Sequence, residues 1–533
     1  MDAELNVSPL KTARAELLGR LGKPIEYDIA VVGGGATGLG VALDATARGF
    51  KVVLLESRDF AEGTSSRATK LVHGGVRYLA QGNISLVREA LHERTTLLNN
   101  APHLARPLAF VMPSYKLWET PFYGVGLKMY DALAGKAGLG ATQFLSRKET
   151  LRDLPTVQSD GLKGGVKYWD GQFDDARLAL ALARTAAQRG ALVVNYCAVS
   201  ELRYENDRIC GLVCEDAETH RRFEVRAHCV VNATGVWVDT LREQDGTAQG
   251  RPVKPMVAPS QGVHLIVDRD FLPTDHALMV PKTADGRVLF AVPWLGKVIL
   301  GTTDSPKDRI EFEPRAMREE VAFILGESAR YLRRAPKVSD VRSIWAGLRP
   351  LVKHQDDDAG NTKKISREHT VLVSRTGLVT VTGGKWTTYR SMAEDVLDHC
   401  MDHKLLPRRE SGVTVQLPMV GATRTPQAHG LNEPQGLHSY GSEADFVQSL
   451  DGSQVRLAPG LTESMVRFAA RYEYARNVED VLARRVRMLF LDAKQAASVA
   501  PCVAEILREE LDTDPQLDAF LALAQQYGTV PAP

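Results

Sequence analysis

The sequence predicts a mixed α/β fold followed by a C-terminal helical domain, on three observations. A strand, a glycine-rich turn, a helix and a second strand follow one another over residues 27–56. Strands and helices alternate again over residues 174–235 and 378–402, as is typical of α/β folds. From residue 460 onward helix signals dominate. A chain of 533 residues has room for about two to four domains of roughly 100–200 residues.

The composition is that of a globular protein and excludes several classes. The chain has 66 Lys and Arg residues and 65 Asp and Glu residues, a net charge of +1. Such a balance gives no overall electrostatic attraction for nucleic acid. Six cysteines in this length do not form a disulfide scaffold and fit a reducing compartment. No apolar run approaches the roughly 20 residues needed to span a bilayer, and the N-terminus lacks the apolar stretch of a signal peptide. We expect a cytoplasmic protein, with peripheral membrane contact left open.

The first element is a strand over residues 28–32, since its apolar, β-branched run suits a strand covered on both faces. The pattern G-x-G-x-x-G at residues 33–38 opens a helix, and a second buried strand over 51–55 ends at Glu56. The glycines let the backbone approach a pyrophosphate at the helix N-terminus, where amide donors and the dipole favour anions. Glu56 lies 23 residues after Gly33, near the position that binds ribose hydroxyls. The alternative is a glycine-rich turn of an unrelated α/β protein.

A second α/β unit begins at Asp174, a predicted helix N-cap. A helix over 176–188 and a strand over 191–196 follow. Asn206 and Asp207 predict a hairpin turn between two short strands. The short strands are expected over residues 199–204, 208–215 and 222–226, before a separate strand over 229–232.

The remaining elements are a strand over 378–382, a helix from Tyr389 and the C-terminal helices. Residues 404–459 are rich in Pro, Gly, Ser and His, which predicts a mostly irregular connection and a domain boundary. Asn477 is expected to open one later helix, and Asp514 to start the last, which ends at Gly528.

Three separated segments are expected to meet at one ligand. Residues 63–78 are rich in hydroxyl-bearing residues, glycines and basic residues. A nicotinamide-binding domain would proceed to its next strand at this point. With residues 232–235 and 382–390, this segment suits a large, permanently bound FAD better than an exchanging NAD. The predicted cofactor-binding residues are Gly33, Gly34, Gly35, Thr37, Gly38, Glu56, Thr64, Ser65, Ser66, Lys70, His73, Gly74, Gly75, Ala233, Thr234, Gly235, Gly383, Gly384, Lys385 and Thr387.

Several motifs together resemble one family, the FAD-dependent, quinone-linked sn-glycerol-3-phosphate dehydrogenases of the D-amino-acid-oxidase/glycine-oxidase structural group. The resemblance runs from about residue 27 to 390 and continues in the helical tail. Trp386 departs from it, because relatives often carry a smaller apolar residue there. The motifs are KLVHGGVRYL at 70–79, ALHER at 90–94, APHL at 101–104, GTTD at 301–304, GLRPL at 347–351, GGKWTTYR at 383–390, VRFAARYEYA at 466–475 and VEDVLARR at 478–485.

We therefore expect a Rossmann-like FAD-binding domain with an interleaved antiparallel-sheet substrate domain and a C-terminal helical domain. The expected divisions are an extension (1–25), the FAD-binding domain (26–100, 172–240, 345–402), the substrate-binding domain (101–171, 241–344), a linker (403–459) and the helical domain (460–533).

The resemblance implies oxidation of sn-glycerol 3-phosphate to dihydroxyacetone phosphate, with hydride transfer to FAD and electrons passed to membrane quinone. It implies glycerol metabolism at the inner face of the cell membrane, with a homodimer left open. The alternatives are a glycerol-3-phosphate oxidase that uses dioxygen, a flavin amine oxidase of the same fold, and a non-catalytic flavin sensor. Cys210 and Cys214 lie four residues apart with no further Cys/His cluster nearby, so no metal site is expected.

A phosphate dianion calls for Arg and Lys donors. By resemblance, the catalytic candidates are His264, Arg349 and Lys385. The ordinary histidine pKa near 6.5 suits a general base, although a lone histidine on a strand is more often structural. Arg349 would stabilise developing alkoxide charge or hold the base, and Lys385 would place positive charge near the reduced flavin. By the same resemblance, the substrate-binding residues are Arg77, Tyr78, His264, Arg349, Arg367 and Lys385, with Arg77 and Arg367 on the phosphate.

Residues 115–133 could form an amphipathic helix. Such a segment would either lie in a bilayer interface or pack on the core, and the sequence leaves both open. Its apolar face would carry Phe122, Val125, Met129 and Leu133, with Lys116, Lys128 and Lys136 around it.

Overall fold

A computed structural model describes residues 8–75, 83–283, 286–353, 368–423 and 429–532 of the chain. Two large sheets and a set of C-terminal helices make up this part. The strands are β1 Glu26–Val32, β2 Val52–Leu55, β3 Leu71–Val72, β4 Ala105–Ser114, β5 Gln143–Ser146, β6 Gly164–Phe173, β7 Leu192–Val194, β8 Cys197–Glu205, β9 Arg208–Asp216, β10 Arg222–Asn232, β11 Val257–Asp268, β12 Ala277–Val280, β13 Leu289–Trp294, β14 Lys297–Gly301, β15 Ser305–Pro306, β16 Ser343–Val352, β17 His369–Val373, β18 Leu378–Gly383, β19 Arg456–Ala458 and β20 Leu461–Thr462. The α-helices are Arg14–Leu21, Ala36–Ala47, Ile84–Asn100, Glu119–Ala134, Arg147–Asp153, Asp175–Gln188, Val238–Ala248, Arg318–Tyr331, Tyr389–Asp402, Ala444–Ser449, Glu463–Tyr472, Met488–Leu491, Ala493–Glu510 and Leu517–Gly528.

The first sheet has the order β17-β18-β10-β1-β2-β7, with β9 paired to β10 and β8 paired to β9. Strands β18, β10, β1, β2 and β7 run parallel. Ile29, Ala30 and Val31 of the central strand have no solvent exposure, as their unbroken apolar run predicts. The helix Ala36–Ala47 packs between Asp175–Gln188 and Tyr389–Asp402. The predicted strand–turn–helix–strand unit is therefore confirmed.

Local signals in the second unit are also confirmed. The Asp174 side chain accepts a hydrogen bond from the Arg177 backbone N–H and caps the helix Asp175–Gln188. Asn206 and Asp207 have φ of 50° and 59°, the positive values that a two-residue hairpin turn requires. The short β18, too, lies where the sequence placed it.

One prediction about element boundaries is wrong. Residues 222–226 and 229–232 form one strand, β10, because alternate side chains stay buried through the intervening residues. The predicted helix start at Asn477 is confirmed, since Asn477 Oδ1 accepts a hydrogen bond from the Asp480 N–H at 2.9 Å and helical residues begin at 478, with a π-helical turn over Asp480–Arg485.

The second sheet has the order β15-β11-β14-β13-β12-β4-β6-β3, with β16 beside β11 and β5 beside β6. Its pairs are antiparallel except β12 with β4. In the β11–β16 pair, Ser260 lies opposite Arg349 and His264 lies opposite Trp345. The sheet thus brings two candidate catalytic side chains onto neighbouring strands.

The C-terminal helices share a core with the second sheet, in which Trp345 of β16 contacts Phe490. The connection predicted over 403–459 is mostly irregular in its described residues, as expected. Its described residues include a helix, Ala444–Ser449, and Tyr440 is buried against Phe468. Scattered apolar residues anchor this segment despite its polar composition. The domain divisions themselves stay a prediction.

Within the described residues, no helix has both the length and the apolar character needed to cross a membrane. The same residues hold no cluster of three metal-ligating side chains, and all six cysteines are free thiols.

Candidate active site

A cavity of about 560 Å³ lies between the two sheets and draws its walls from all three predicted segments. Its size is in the range of cofactor sites. At one end lies the turn after β1, and at the other the strands β11 and β16. Of the predicted site residues, those that line it are Gly33, Gly35, Thr37, Glu56, Thr64, Ser65, His73, Ala233, Thr234, Gly235, His264, Arg349, Gly383, Gly384, Lys385 and Thr387.

Other predicted cofactor residues are not among the lining residues. A Cβ on Gly34 would lie 2.9 Å from Glu56 Cβ, and one on Gly38 would overlap the Gly33 carbonyl oxygen. Gly74 lies against Tyr130 and Leu91, and Gly75 has a φ of 76°. These glycines serve close backbone packing beside the cavity.

Ser66 and Lys70 are buried behind the cavity wall. The Lys70 ammonium donates to Asp175 Oδ2 at 2.6 Å and to the Ser66 carbonyl at 2.7 Å. Burial lowers the pKa of Lys70 to about 7, against the opposing effect of Asp175. Arg77, Tyr78 and Arg367 lie outside the described residues.

The glycine turn forms an anion site at the start of a helix. Gly33 has a φ of 109°, which favours glycine. Gly35 is the N-cap residue of the helix Ala36–Ala47. The first helical N–H, that of Ala36, donates to Ser65 Oγ at 2.9 Å. Backbone donors at such a helix start suit a pyrophosphate.

Glu56 holds this turn in place. Its carboxylate accepts hydrogen bonds from the Gly34 N–H at 2.6 Å and the Arg58 N–H at 2.9 Å. Burial raises the pKa of Glu56, while these donors favour the charged form. The carboxylate lines the cavity, so its remaining lone pairs are available to ribose hydroxyls.

His264 lies at the opposite end of the cavity and is 2% exposed. Its ring stacks on Trp345, with centroids 5.2 Å apart and planes 20° apart. Nε2 lies 2.9 Å from Thr69 Oγ1, and Nδ1 has no hydrogen-bond partner among the described residues. Burial, followed by the charges of Lys70 and Arg349, holds the pKa of His264 well below its usual value. The imidazole is therefore neutral at pH 7.

The Arg349 guanidinium reaches over β11 toward the loop after β14. Nη2 donates to the Thr303 carbonyl at 3.0 Å and to Thr302 Oγ1 at 3.2 Å, and Nη1 lies 3.5 Å from Asp304 Oδ1. A Cβ on Gly262 would overlap Nη2. The missing side chain at Gly262 thus makes room for the arginine at the cavity wall.

The segment after β18 brings Lys385 to the wall. Gly383 and Gly384 have φ of 83° and 72°. Trp386, the departure noted in the sequence, donates its indole N–H to the Ser65 carbonyl at 2.8 Å. Thr387 Oγ1 accepts from the His73 N–H at 3.2 Å. These bonds tie two of the predicted cofactor segments together.

Sequence reasoning missed several lining residues. Thr69 belongs to the KLVHGG region but gave no signal of its contact with His264. Trp237 lies two residues after Gly235, so the N-A-T-G pattern could have been extended to it. Phe312 and Arg67 reach the cavity only through tertiary packing.

The arrangement fits FAD. One end offers backbone donors at a helix start and the Glu56 carboxylate, as a pyrophosphate and a ribose require. The other end places a neutral imidazole and a guanidinium on neighbouring strands, and the Lys385 side chain lines the same cavity, where an oxidisable anionic substrate could meet the flavin ring. These features define an FAD-dependent oxidoreductase.

Comparison with known proteins agrees with this class. Residues 28–390 match the family described as FAD dependent oxidoreductase, and residues 412–517 match the C-terminal domain of alpha-glycerophosphate oxidase. The chain belongs to the family of FAD-dependent glycerol-3-phosphate dehydrogenases, and FAD is its cofactor. The predicted family, fold class and cofactor are thereby confirmed.

The relatives that show this family match over most of their length. Mitochondrial glycerol-3-phosphate dehydrogenase of Rattus norvegicus is 42% identical, over 91% of this chain and 71% of the relative. The Homo sapiens protein is 41% identical, over 92% and 71%. The Bacillus halodurans glycerol-3-phosphate dehydrogenase complexed with FAD has a TM-score of 0.75 at 28% identity, over 97% and 98% of the two chains.

Proposed function

We propose that this protein oxidises sn-glycerol 3-phosphate to dihydroxyacetone phosphate and that its electrons pass to a membrane quinone. The observation that carries the proposal is that His264, Arg349 and Lys385 all line one cavity that fits FAD. When bound, FAD supplies the acceptor for the hydride from C2 of the substrate.

His264 is the base that we propose. The neutral imidazole accepts the hydroxyl proton on a ring nitrogen, and the Trp345 stack and the Thr69 contact fix its orientation. The nearby Arg349 charge, which lowers the pKa of His264, also stabilises negative charge that develops on the substrate oxygen.

Lys385 and Arg349 supply positive charge for an anionic substrate. Charge-assisted hydrogen bonds of this kind are worth about 1.5–3 kcal/mol each. From the family resemblance, Arg77, Tyr78 and Arg367 complete the substrate site, with the two arginines on the phosphate. An amine oxidase would not need this set of cations.

Quinone as acceptor requires contact with a membrane, and we propose the helix Glu119–Ala134 for it. One face is buried through Leu127 and Tyr130, so the helix is fixed to the protein. Leu133 packs beside Tyr130 rather than on the exposed face, which corrects the predicted apolar stripe. The apolar side chains that are more than half exposed, from 53% to 81%, are Leu117, Trp118, Phe122, Val125 and Met129.

The exposed lysines Lys116 and Lys128 lie beside this apolar surface, with Lys128 Nζ 5.0 Å from the centre of the Phe144 ring. Aromatic and apolar side chains flanked by lysines suit the interface of an anionic bilayer. We therefore propose a peripheral protein of the inner face of the cell membrane.

Anaerobic addition of glycerol 3-phosphate to the FAD-loaded protein tests the reaction. Bleaching of the flavin absorbance with one equivalent of dihydroxyacetone phosphate formed is expected. Unchanged absorbance would refute the proposal, and bleaching by sarcosine instead would favour an amine oxidase. Peroxide formation in air faster than reduction of a soluble quinone would favour the oxidase alternative.

A further inference from the structure

We propose that an exposed loop, residues 308–314, and Trp237 form a latch over the adenosine end of FAD, and that the last helix fastens it. Within this latch, the contacts that hold the loop are made by Trp237, Phe312 and Glu313. The latch would set how long the cofactor stays bound, a property that the substrate reaction does not determine.

The aromatic part of the latch joins two walls of the cavity. The Phe312 ring stacks on Trp237, with centroids 4.5 Å apart and planes 19° apart. On its other side, the Arg58 guanidinium lies 4.0 Å from the centre of the Phe312 ring. Arg58, Trp237 and Phe312 all line the cavity. Phe312 thus bridges the segment after Glu56 and the segment after Gly235.

This stack lies at the adenosine end. The Arg58 N–H donates to Glu56, the carboxylate that suits the ribose. A Cβ on Gly63 would lie 3.2 Å from the Trp237 ring, so Trp237 also borders the segment after β2. The Trp237–Phe312 stack therefore borders the segments that follow β2 and β10.

Phe312 is 41% exposed, which is unusual for a ring that stacks on both faces. Residues 308–312 are all exposed, and no helix or strand lies within residues 308–314. Residues 308–312 therefore owe their position neither to a core nor to a sheet, whereas Pro314 at the end of the loop is buried. Side-chain contacts hold the loop, and a loop held in this way can open for the cofactor to enter.

Glu313 supplies the second fastening. It forms an ion pair with Arg67, a buried residue of the cavity wall whose Nε also donates to the Glu62 carbonyl at 3.2 Å. Tyr527 of the helix Leu517–Gly528 donates its hydroxyl to Glu313 Oε2 at 3.3 Å. Tyr527 therefore connects the C-terminal helix to Glu313, and Glu313 connects it to the cavity wall through Arg67.

The test measures release of FAD from the intact holoenzyme, after dilution into an excess of an apoflavoprotein that captures free FAD. Phe312→Ala removes the stack and is expected to raise the release rate about tenfold. Phe312→Tyr keeps the stack and should restore slow release. Ile310→Ala, an exposed apolar residue of the same loop, is the matched control and should release FAD at the wild-type rate.

Two further variants address the fastening. Glu313→Gln removes the ion pair and should raise the rate about fivefold, and Tyr527→Phe removes one hydrogen bond and should raise it about twofold. Thermal unfolding of each apoprotein should stay near wild type. Release from Phe312→Ala and Glu313→Gln at the wild-type rate, or equal acceleration by Ile310→Ala, would overturn the latch.

Discussion

His264 Nε2 lies 2.9 Å from Thr69 Oγ1, so the proposed base is held by the chain segment that also lines the cofactor cavity. Thr69 stands between Ser66 and Lys70, whose burial fixes the backbone there. A neutral imidazole carries a single N–H, and a hydroxyl can donate or accept. The contact therefore fixes the orientation of the ring.

Thr69→Val should disturb this orientation without emptying the cavity. We expect kcat to fall about tenfold or more, because general-base catalysis depends on geometry. Thr69→Ser keeps the hydroxyl and should stay near wild type. Steady-state kinetics with glycerol 3-phosphate and a soluble acceptor measure the effect, and equal loss in both variants would contradict a role for the hydroxyl.

His264→Ala should lower kcat by about 10²–10⁴-fold, the usual contribution of a general base. The FAD content per protein should change little, since His264 lies at the substrate end. Absorbance of the purified protein gives that content. Turnover near the wild-type value would remove His264 as the base.

The pH dependence of kcat follows from the lowered pKa of His264. A base works in its deprotonated form, and a pKa below 6.5 keeps that form present as pH falls through 6.5. We expect kcat at saturating substrate to stay level from pH 8 to pH 6.5 and to fall only at lower pH. An acid limb centred at or above 6.5 would show that another group, or a charged His264, controls the reaction.

Gly262→Ala should displace the Arg349 guanidinium, since the new Cβ would overlap Nη2. Weaker substrate binding and slower turnover are expected, about tenfold or more in kcat/KM. Gly326 has nothing within 4 Å of its position for a Cβ, so Gly326→Ala is the control and should leave kcat/KM unchanged. A normal kcat/KM in Gly262→Ala would mean that the guanidinium is not needed in this position.

Membrane contact is tested by sedimentation with anionic vesicles. Reversing Lys116, Lys128 and Lys136 to Glu should weaken binding about a hundredfold, from the usual contribution of a lysine near an anionic surface. Phe122→Asp should weaken binding to neutral vesicles as well, because apolar contact is lost. Val455→Asp alters an exposed apolar residue elsewhere and should have no effect. Wild-type binding by the lysine variant would exclude this surface.

The glycine turn and Glu56 could be predicted because their chemistry depends on neighbours in sequence. His264 and Arg349 were accessible only through the family resemblance, since neither a strand histidine nor a lone arginine signals a site. The contacts of Thr69 with His264, Phe312 with Trp237 and Tyr527 with Glu313 could not be predicted, because they join residues 195, 75 and 214 positions apart. Composition gave no sign that Tyr440 anchors the polar connection by packing on Phe468.

The pairing of β11 with its two neighbours places narrow limits on how this strand can vary. His264 lies opposite Trp345 on one side and Gly301 on the other, and its neighbours Val263 and Leu265 point to the opposite face, where they have no solvent exposure. Adding or deleting a single residue upstream would exchange the faces, so that an aliphatic side chain replaced the imidazole and the imidazole entered an apolar core. A shift of two residues would restore the faces but would move His264 away from Trp345 and Gly301, so the site fixes the register of this strand.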